Sequence, residues 1–140
     1  MIRYEWVWRP SAQVLKEVAG LYKAAGWWEP GDTPQRICRM VMNSHCFLLA
    51  REGGRAVGMG RAISDKTNDG YIQDVFVSSR LRGRGVGAQI VRRLALRLRI
   101  DGLGWIGLVA AGGTRPFYEG LGFQKMEKHD PMRFKEGVLP

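Results

Sequence analysis

The stretch VFVSSRLRGRGVGAQIVRRLALRL, residues 75–98, reads as a buried strand that feeds a glycine-punctuated turn and then an amphipathic helix. Val75, Phe76 and Val77 form an unbroken run of β-branched and aromatic residues, as expected of a strand covered on both faces, and Ser78 and Ser79 end it. Gly83, Gly85 and Gly87 then alternate with Arg84 and Val86, which frees the backbone of Cβ atoms where a ligand has to come close. From Val86 onward Ile90, Val91, Leu94 and Leu98 recur at helical spacing, with Arg92, Arg93, Arg97 and Arg99 mostly opposite. The glycines therefore stand at a helix N-terminus, where unpaired amides and the positive end of the helix dipole favour a phosphate or diphosphate. We read the loop as an anion site whose donors are its own amides.

Two other phosphate loops fit less well. A Walker loop needs Lys and then Ser or Thr after its last glycine, and this chain has Ala88 and Gln89. A dinucleotide fingerprint needs its third glycine three places after the second and an acid ending the next strand; Gly85 and Gly87 are only two apart, and the run Trp105–Ala110 ends without one. The loop instead resembles the Arg/Gln-x-x-Gly-x-Gly/Ala signature of the GCN5-related N-acetyltransferases, here Arg82, Gly85 and Gly87, and PFYEGLGF, residues 116–123, resembles the helix that carries that family's acid tyrosine. The plainer alternative is a basic helix with a glycine-rich turn. The stretch GMGRAISDKTNDGYIQDVFV, with AAGWW upstream, looks closer to the branch that includes plant plastid acetyltransferases of arylalkylamines and lysines.

A chain of 140 residues suits one domain spanning 1–140, large enough to bury a real core. No apolar run is long enough to span a bilayer and MIRYEWVWRP does not have the form of a secretory signal, so a cytoplasmic protein without a membrane partner is expected. Cys38 and Cys46 have no metal-type spacing and read as free thiols, and no metal site is proposed. The net charge of +9 comes from 22 basic and 13 acidic residues. Residues 75–100 hold seven of the arginines (80, 82, 84, 92, 93, 97 and 99) and no acid, which leaves 15 minus 13, or +2, elsewhere. That basicity suits an anionic ligand and would steer it inward. An arginine-rich helix also attracts nucleic acid, but no aromatic platform interleaves with these arginines, so nucleic acid is disfavoured.

In chain order, residues 2–9 read as a strand stopped by Pro10. Ser11 caps a helix to about Ala25, with Val14, Leu15, Val18, Leu21 and Tyr22 on its buried face. Residues 26–33 form a loop bearing Trp27 and Trp28. Thr33-Pro34 starts a second helix, ending near Ser44. CFLLARE and RAVGMGRAIS make a hairpin through Gly53-Gly54, and the turn 65–70 leads into YIQDVFV. After the long helix come a strand at 105–110, a helix capped by Thr114 and ended by Gly120 and Gly122, and two short strands within FQKMEKHDPMRFKEG. The expected fold is α/β (α+β): a mixed, mostly antiparallel sheet of about six or seven strands with about four helices. The strands at 71–77 and 105–110 are joined by a helical crossover and run parallel; the resemblance implies that they splay at their C-terminal ends.

The same resemblance implies acetyl-CoA as co-substrate. The backbones of Val75, Phe76 and Val77 would meet pantetheine and the acyl carbonyl, while Arg82 and the amides of Gly83, Arg84, Gly85, Val86, Gly87 and Ala88 would meet the diphosphate. The three strand residues are equally ordinary core, since side chains can pack while backbones bind. Tyr118 is the candidate general acid, against the reading that a tyrosine on an apolar helix is core. The family's cofactor-binding Asn seven residues before it is Ala111 here. Asp74 is the candidate base, a partly buried carboxylate of raised pKa, or else one satisfied by an arginine or an amide; Asp65 and His45 are weaker candidates. Where some histone-modifying relatives carry a catalytic Glu, this chain has Tyr71. Trp27 and Trp28 would floor an amine site through stacking or cation–π contact, or form a hydrophobic lid. The expected activity is direct acetyl transfer to a primary amine, either a small molecule such as an arylalkylamine or a lysine-bearing protein. The alternatives are a basic nucleic-acid-binding module and a non-catalytic CoA-binding regulatory domain. A homodimer is compatible with this reading.

Overall fold

Met1–Leu108 form one unit, built on a mixed five-stranded sheet in the order β1-β2-β3-β4-β5, in a computed structural model that describes residues 1–137. β1 (Ile2–Trp6), β2 (Cys46–Glu52), β3 (Arg55–Ser64) and β4 (Asp69–Val77) pair antiparallel in sequence order, and β5 (Trp105–Leu108) lies parallel to β4. The hairpin expected at Gly53-Gly54 is present, with both glycines at positive φ (55° and 80°), as a tight two-residue connection requires. At the next turn Asp65 Oδ1 accepts the amides of Thr67, Asn68 and Asp69 at 2.8, 2.7 and 3.0 Å. Asp65 thus closes a turn, and those amides hold its carboxyl below the ordinary range.

α1 (Ala12–Ala24) and α2 (Pro34–Asn43) begin where the sequence places them, with Ser11 Oγ accepting the Val14 amide and Thr33 Oγ1 the Arg36 amide, each at 3.2 Å. Their apolar faces bury Val18, Leu21, Tyr22, Ile37 and Val41 against Phe47, Leu49, Met59 and Phe76 of the sheet. α3 (Val86–Ile100) covers the opposite face with Ile90, Leu94 and Leu98, all fully buried. Its side chains pack directly over glycines of β3 and β4. A Cβ at Gly60 would lie 2.7 Å from Ile90 Cγ2, and one at Gly70 would lie 2.9 Å from Leu98 Cδ1, so a larger residue there displaces the α3 side chains that fill the space.

One irregularity matters for the site. Met59 pairs with Phe76 and Arg61 with Gln73, so the single residue Gly60 opposes two residues, Asp74 and Val75. Asp74 has φ 55°, a left-handed conformation for a non-glycine residue, and the arrangement is a β-bulge. The extra residue turns Asp74 onto the α1 side of the sheet, where it meets Tyr22.

The chain from Val109 onward is a second, smaller unit containing α4 (Arg115–Glu119) and turns; its described residues are at most partly buried. The two short strands expected within 123–137 are absent among the described residues, so the sheet has five strands rather than six or seven. That stretch is too rich in charge, and interrupted by Pro131, to sustain a period-two apolar face. β5 likewise stops at Leu108 instead of Ala110, and β1 at Trp6 instead of Arg9. Thr114 does not cap α4: its backbone is already helical (φ −95°, ψ −4°), and its hydroxyl donates back to the Ala111 carbonyl at 2.7 Å.

Candidate active site

The loop between β4 and α3 owes its shape to two glycines. Gly83 (φ 77°) and Gly85 (φ 82°) both adopt the left-handed region, and Gly85 is the N-cap residue of α3. The first intrahelical bond runs from the Gln89 amide to the Gly85 carbonyl at 3.1 Å; the amides of Val86, Gly87 and Ala88 precede it, and such amides are the unpaired donors of a helix start. No acidic side chain stands in the first turn. Arg82 turns back on the strand, its Nε donating to the Val77 carbonyl at 3.0 Å with the guanidinium 5.6 Å from the Phe76 ring centre. The positive charge is partly offset by a residue outside the arginine-rich stretch. Glu52, at the end of β2, pairs with Arg80 at 2.7 Å and lies 3.9 Å from Arg84, and the Arg80 hydrogen bond holds its carboxyl below the usual range.

β4 supplies the second element of the site. Its parallel pairing with β5 runs from Asp69–Trp105 to Ile72–Leu108, while β4 itself continues to Val77. The backbone of Val75, Phe76 and Val77 therefore has no β5 partner, and unpaired strand edges are where an extended ligand can add its own hydrogen bonds.

Around the bulge a polar network forms on the α1 side. Asp74 Oδ2 accepts the Tyr22 hydroxyl at 2.8 Å and Arg61 Nε at 2.7 Å; Arg61 also donates to Gln73 Oε1 at 2.9 Å. Of the two readings of Asp74, the structure displays the carboxylate satisfied by an arginine. Trp27, 42 % exposed, lies edge-on to Phe76 with ring centres 6.0 Å apart, and 6.2 Å from Tyr22. Trp28 packs on the core beside it, with Lys23 Nζ 4.7 Å from its ring centre. Arg61 and Gln73 are not singled out by the sequence, and Tyr22 reads there only as part of the buried face of α1. The available signal was Tyr22 itself, since a buried tyrosine hydroxyl demands a partner.

Tyr118, in the smaller unit, packs edge-on between Phe117 and Phe123 at 4.9 and 5.9 Å between ring centres, and burial raises its phenol above the ordinary value. His45 joins Ser64 Oγ and Asp101 Oδ2, each at 2.7 Å, and so ties the end of α3 to β2 and β3. Cys38 and Cys46 are free thiols, and burial pushes that of Cys46 up to about 12. Among the described residues no three His, Cys, Asp or Glu side chains gather as a metal would need, and no helix is long and apolar enough to cross a membrane.

A strand that runs on past its parallel partner, a loop with two left-handed glycines and the helix start that follows it define an α/β domain with a candidate anion site. The family model of the acetyltransferase (GNAT) domain matches residues 43–125, and the chain belongs to that family. It is 36% identical over 92 residues to GCN5-related N-acetyltransferase 2, chloroplastic, from Arabidopsis thaliana, covering 60% of this chain and 36% of that protein. It is 31% identical over 98 residues to serotonin N-acetyltransferase 2, chloroplastic, from Oryza sativa subsp. japonica, covering 67% of this chain and 49% of the relative. The matches thus span about a third to a half of these relatives' length. A GNAT-family acetyltransferase from Streptococcus pneumoniae shares the fold at a TM-score of 0.81 and 21% identity, covering 98% of this chain and 99% of the other.

Proposed function

We propose that residues 1–140 are one N-acetyltransferase domain that moves an acetyl group from acetyl-CoA to a primary amine by direct transfer. The observation that carries this reading is the Gly83–Ala88 loop opening α3 directly after a strand whose end has no β5 partner. Its left-handed glycines and helix-start amides fit a diphosphate, and the stretch Val75–Val77, which β5 does not pair and of which Arg82 takes the Val77 carbonyl, leaves room for an extended pantetheine arm. Acetyl-CoA supplies the activated acyl carbon. Arg82, by holding the Val77 carbonyl, fixes the loop to the strand, a more structural task than direct diphosphate contact. Asp74 accepts a proton from the acceptor amine, directly or through water. Tyr118, a phenol that is neutral at working pH, would donate its hydroxyl proton to the departing thiolate.

The acceptor is an aromatic or otherwise apolar primary amine, or a lysine side chain, lying against Trp27. The exposed Trp27 edge beside Phe76 supports it, as do the relatives named for serotonin and for GCN5-related N-acetyl transfer.

Thermal melting with acetyl-CoA tests the cofactor half. Concentrations about 100-fold above Kd should stabilise the fold by about 2.7 kcal/mol through linkage, whereas a short DNA duplex should give no specific shift. Stabilisation by nucleic acid alone would replace this reading with the nucleic-acid module. Binding of acetyl-CoA without thiol release across arylalkylamines, polyamines, aminoglycosides, amino acids and lysine peptides would replace it with the regulatory domain.

A further inference from the structure

Tyr22 lies on the buried face of α1 and is 4% exposed. A phenylalanine would satisfy the packing there, yet the hydroxyl reaches across to β4 and donates to Asp74 Oδ2 at 2.8 Å. Arg61 Nε, from β3, donates to the same oxygen at 2.7 Å. Both bonds converge on Oδ2, and among the described residues Oδ1 takes none. Donors arriving from two different elements fix both the position and the rotation of the carboxylate. The bulged backbone of Asp74, at φ 55°, would not do so by itself. Trp27 and Phe76 stand beside this cluster, Trp27 6.2 Å from the Tyr22 ring and 6.0 Å from that of Phe76.

We propose that Tyr22 is a positioning residue which, together with Arg61, clamps Asp74 Oδ2 so that Oδ1 is presented to the amine of the acceptor. The inference rests on the N-acetyltransferase reading above. Tyr22 acts through Asp74 and touches neither substrate. Burial, and then the charge of Asp74, push its phenol far above the ordinary range, so it remains a donor throughout the working pH range. The Arg61 guanidinium offsets the carboxylate's charge, so Asp74 offers a directed hydrogen-bond acceptor more than a long-range attraction for cations. That favours an amine delivered by its apolar body onto Trp27 and aligned at short range.

The test is a double-mutant cycle on thiol release from acetyl-CoA, using wild type, Tyr22→Phe, Asp74→Asn and the double variant, with tryptamine and an Nα-blocked lysine as probe amines. Tyr22→Phe should lower kcat/KM for the amine about 10-fold or more by loosening the alignment, with KM for acetyl-CoA unchanged. The double variant should be no slower than Asp74→Asn alone, because the hydroxyl acts only through that carboxylate. Arg61→Lys, which reaches the same oxygen from β3, is run through the same cycle and decides the matter if Tyr22→Phe does not fold. Additive losses, or full kcat/KM in Tyr22→Phe or in Asp74→Asn, would overturn the proposal and leave the acetyltransferase reading standing. A wild type that binds acetyl-CoA and transfers to neither probe nor any other amine would overturn both.

Discussion

Tyr118→Phe keeps the ring between Phe117 and Phe123 and removes only the hydroxyl. If that hydroxyl protonates the thiolate, turnover should fall by about 10²–10⁴ while acetyl-CoA affinity holds. The wild type should lose activity as the phenol ionises, and because burial raises its pKa, that alkaline limb should lie above pH 10.0 and vanish in the variant. An unchanged rate would reduce FYEGLGF to a packing motif. At this scale the sequence is informative where chemistry is local. Ser11 and Thr33 are legible as caps because the acceptor and its amide are three residues apart. Tyr22 is not legible as a polar anchor, since its spacing on α1 is also that of Leu21 and Val18, and its partner is 52 residues away.

Among the elements, the loop–helix junction makes the sharpest prediction. Gly85→Asp forces a side chain onto a residue at φ 82° and sets a carboxylate at the start of α3. The carboxylate itself suits a helix N-terminus and leaves the fold intact, but it occupies the amides and repels a diphosphate. Acetyl-CoA titration should therefore show binding abolished in a protein whose circular dichroism is native; unchanged affinity would place the phosphate site elsewhere. Strands and helices up to Leu108 are readable because turn residues punctuate them and one face of each is apolar. The bulge is not, because one extra residue within DGYIQDVFV leaves no mark on composition, and only Gly60 opposite hints at it. Past Leu108 the reading overreaches in supplying strands to a segment whose charge does not support them.

For the molecule as a whole, acid is the condition that most directly tests its ion pairs. Glu17 is held below its ordinary value near 4.5, first by the Arg51 hydrogen bond, and Asp101 below 3.8, first by Arg97 and then His45. A carboxyl lowered in the folded state contributes stability that is complete above its unfolded pKa and lost as pH falls through the folded one. Melting temperature should thus drop as pH falls from about 5 to about 3, and Arg51→Met should flatten that drop while lowering the plateau. A wild-type curve no steeper than the variant's would assign acid sensitivity to other groups. The count of charges could not supply this picture: it located the arginines, but not Glu52 beside Arg80 and Arg84, which lies far off in sequence.

The bulge means that Asp74 is a guest in its own strand. Excising it would let Val75 stand opposite Gly60, between the existing Met59–Phe76 and Arg61–Gln73 pairs, so β4 would close up with every other residue keeping its face. The shortened chain should fold, giving up the Tyr22 and Arg61 bonds at a cost of about 1–3 kcal/mol, and should bind acetyl-CoA while transferring nothing. Loss of transfer with fold and acetyl-CoA binding kept would assign Asp74 to the chemistry; loss of the fold would assign it to the architecture.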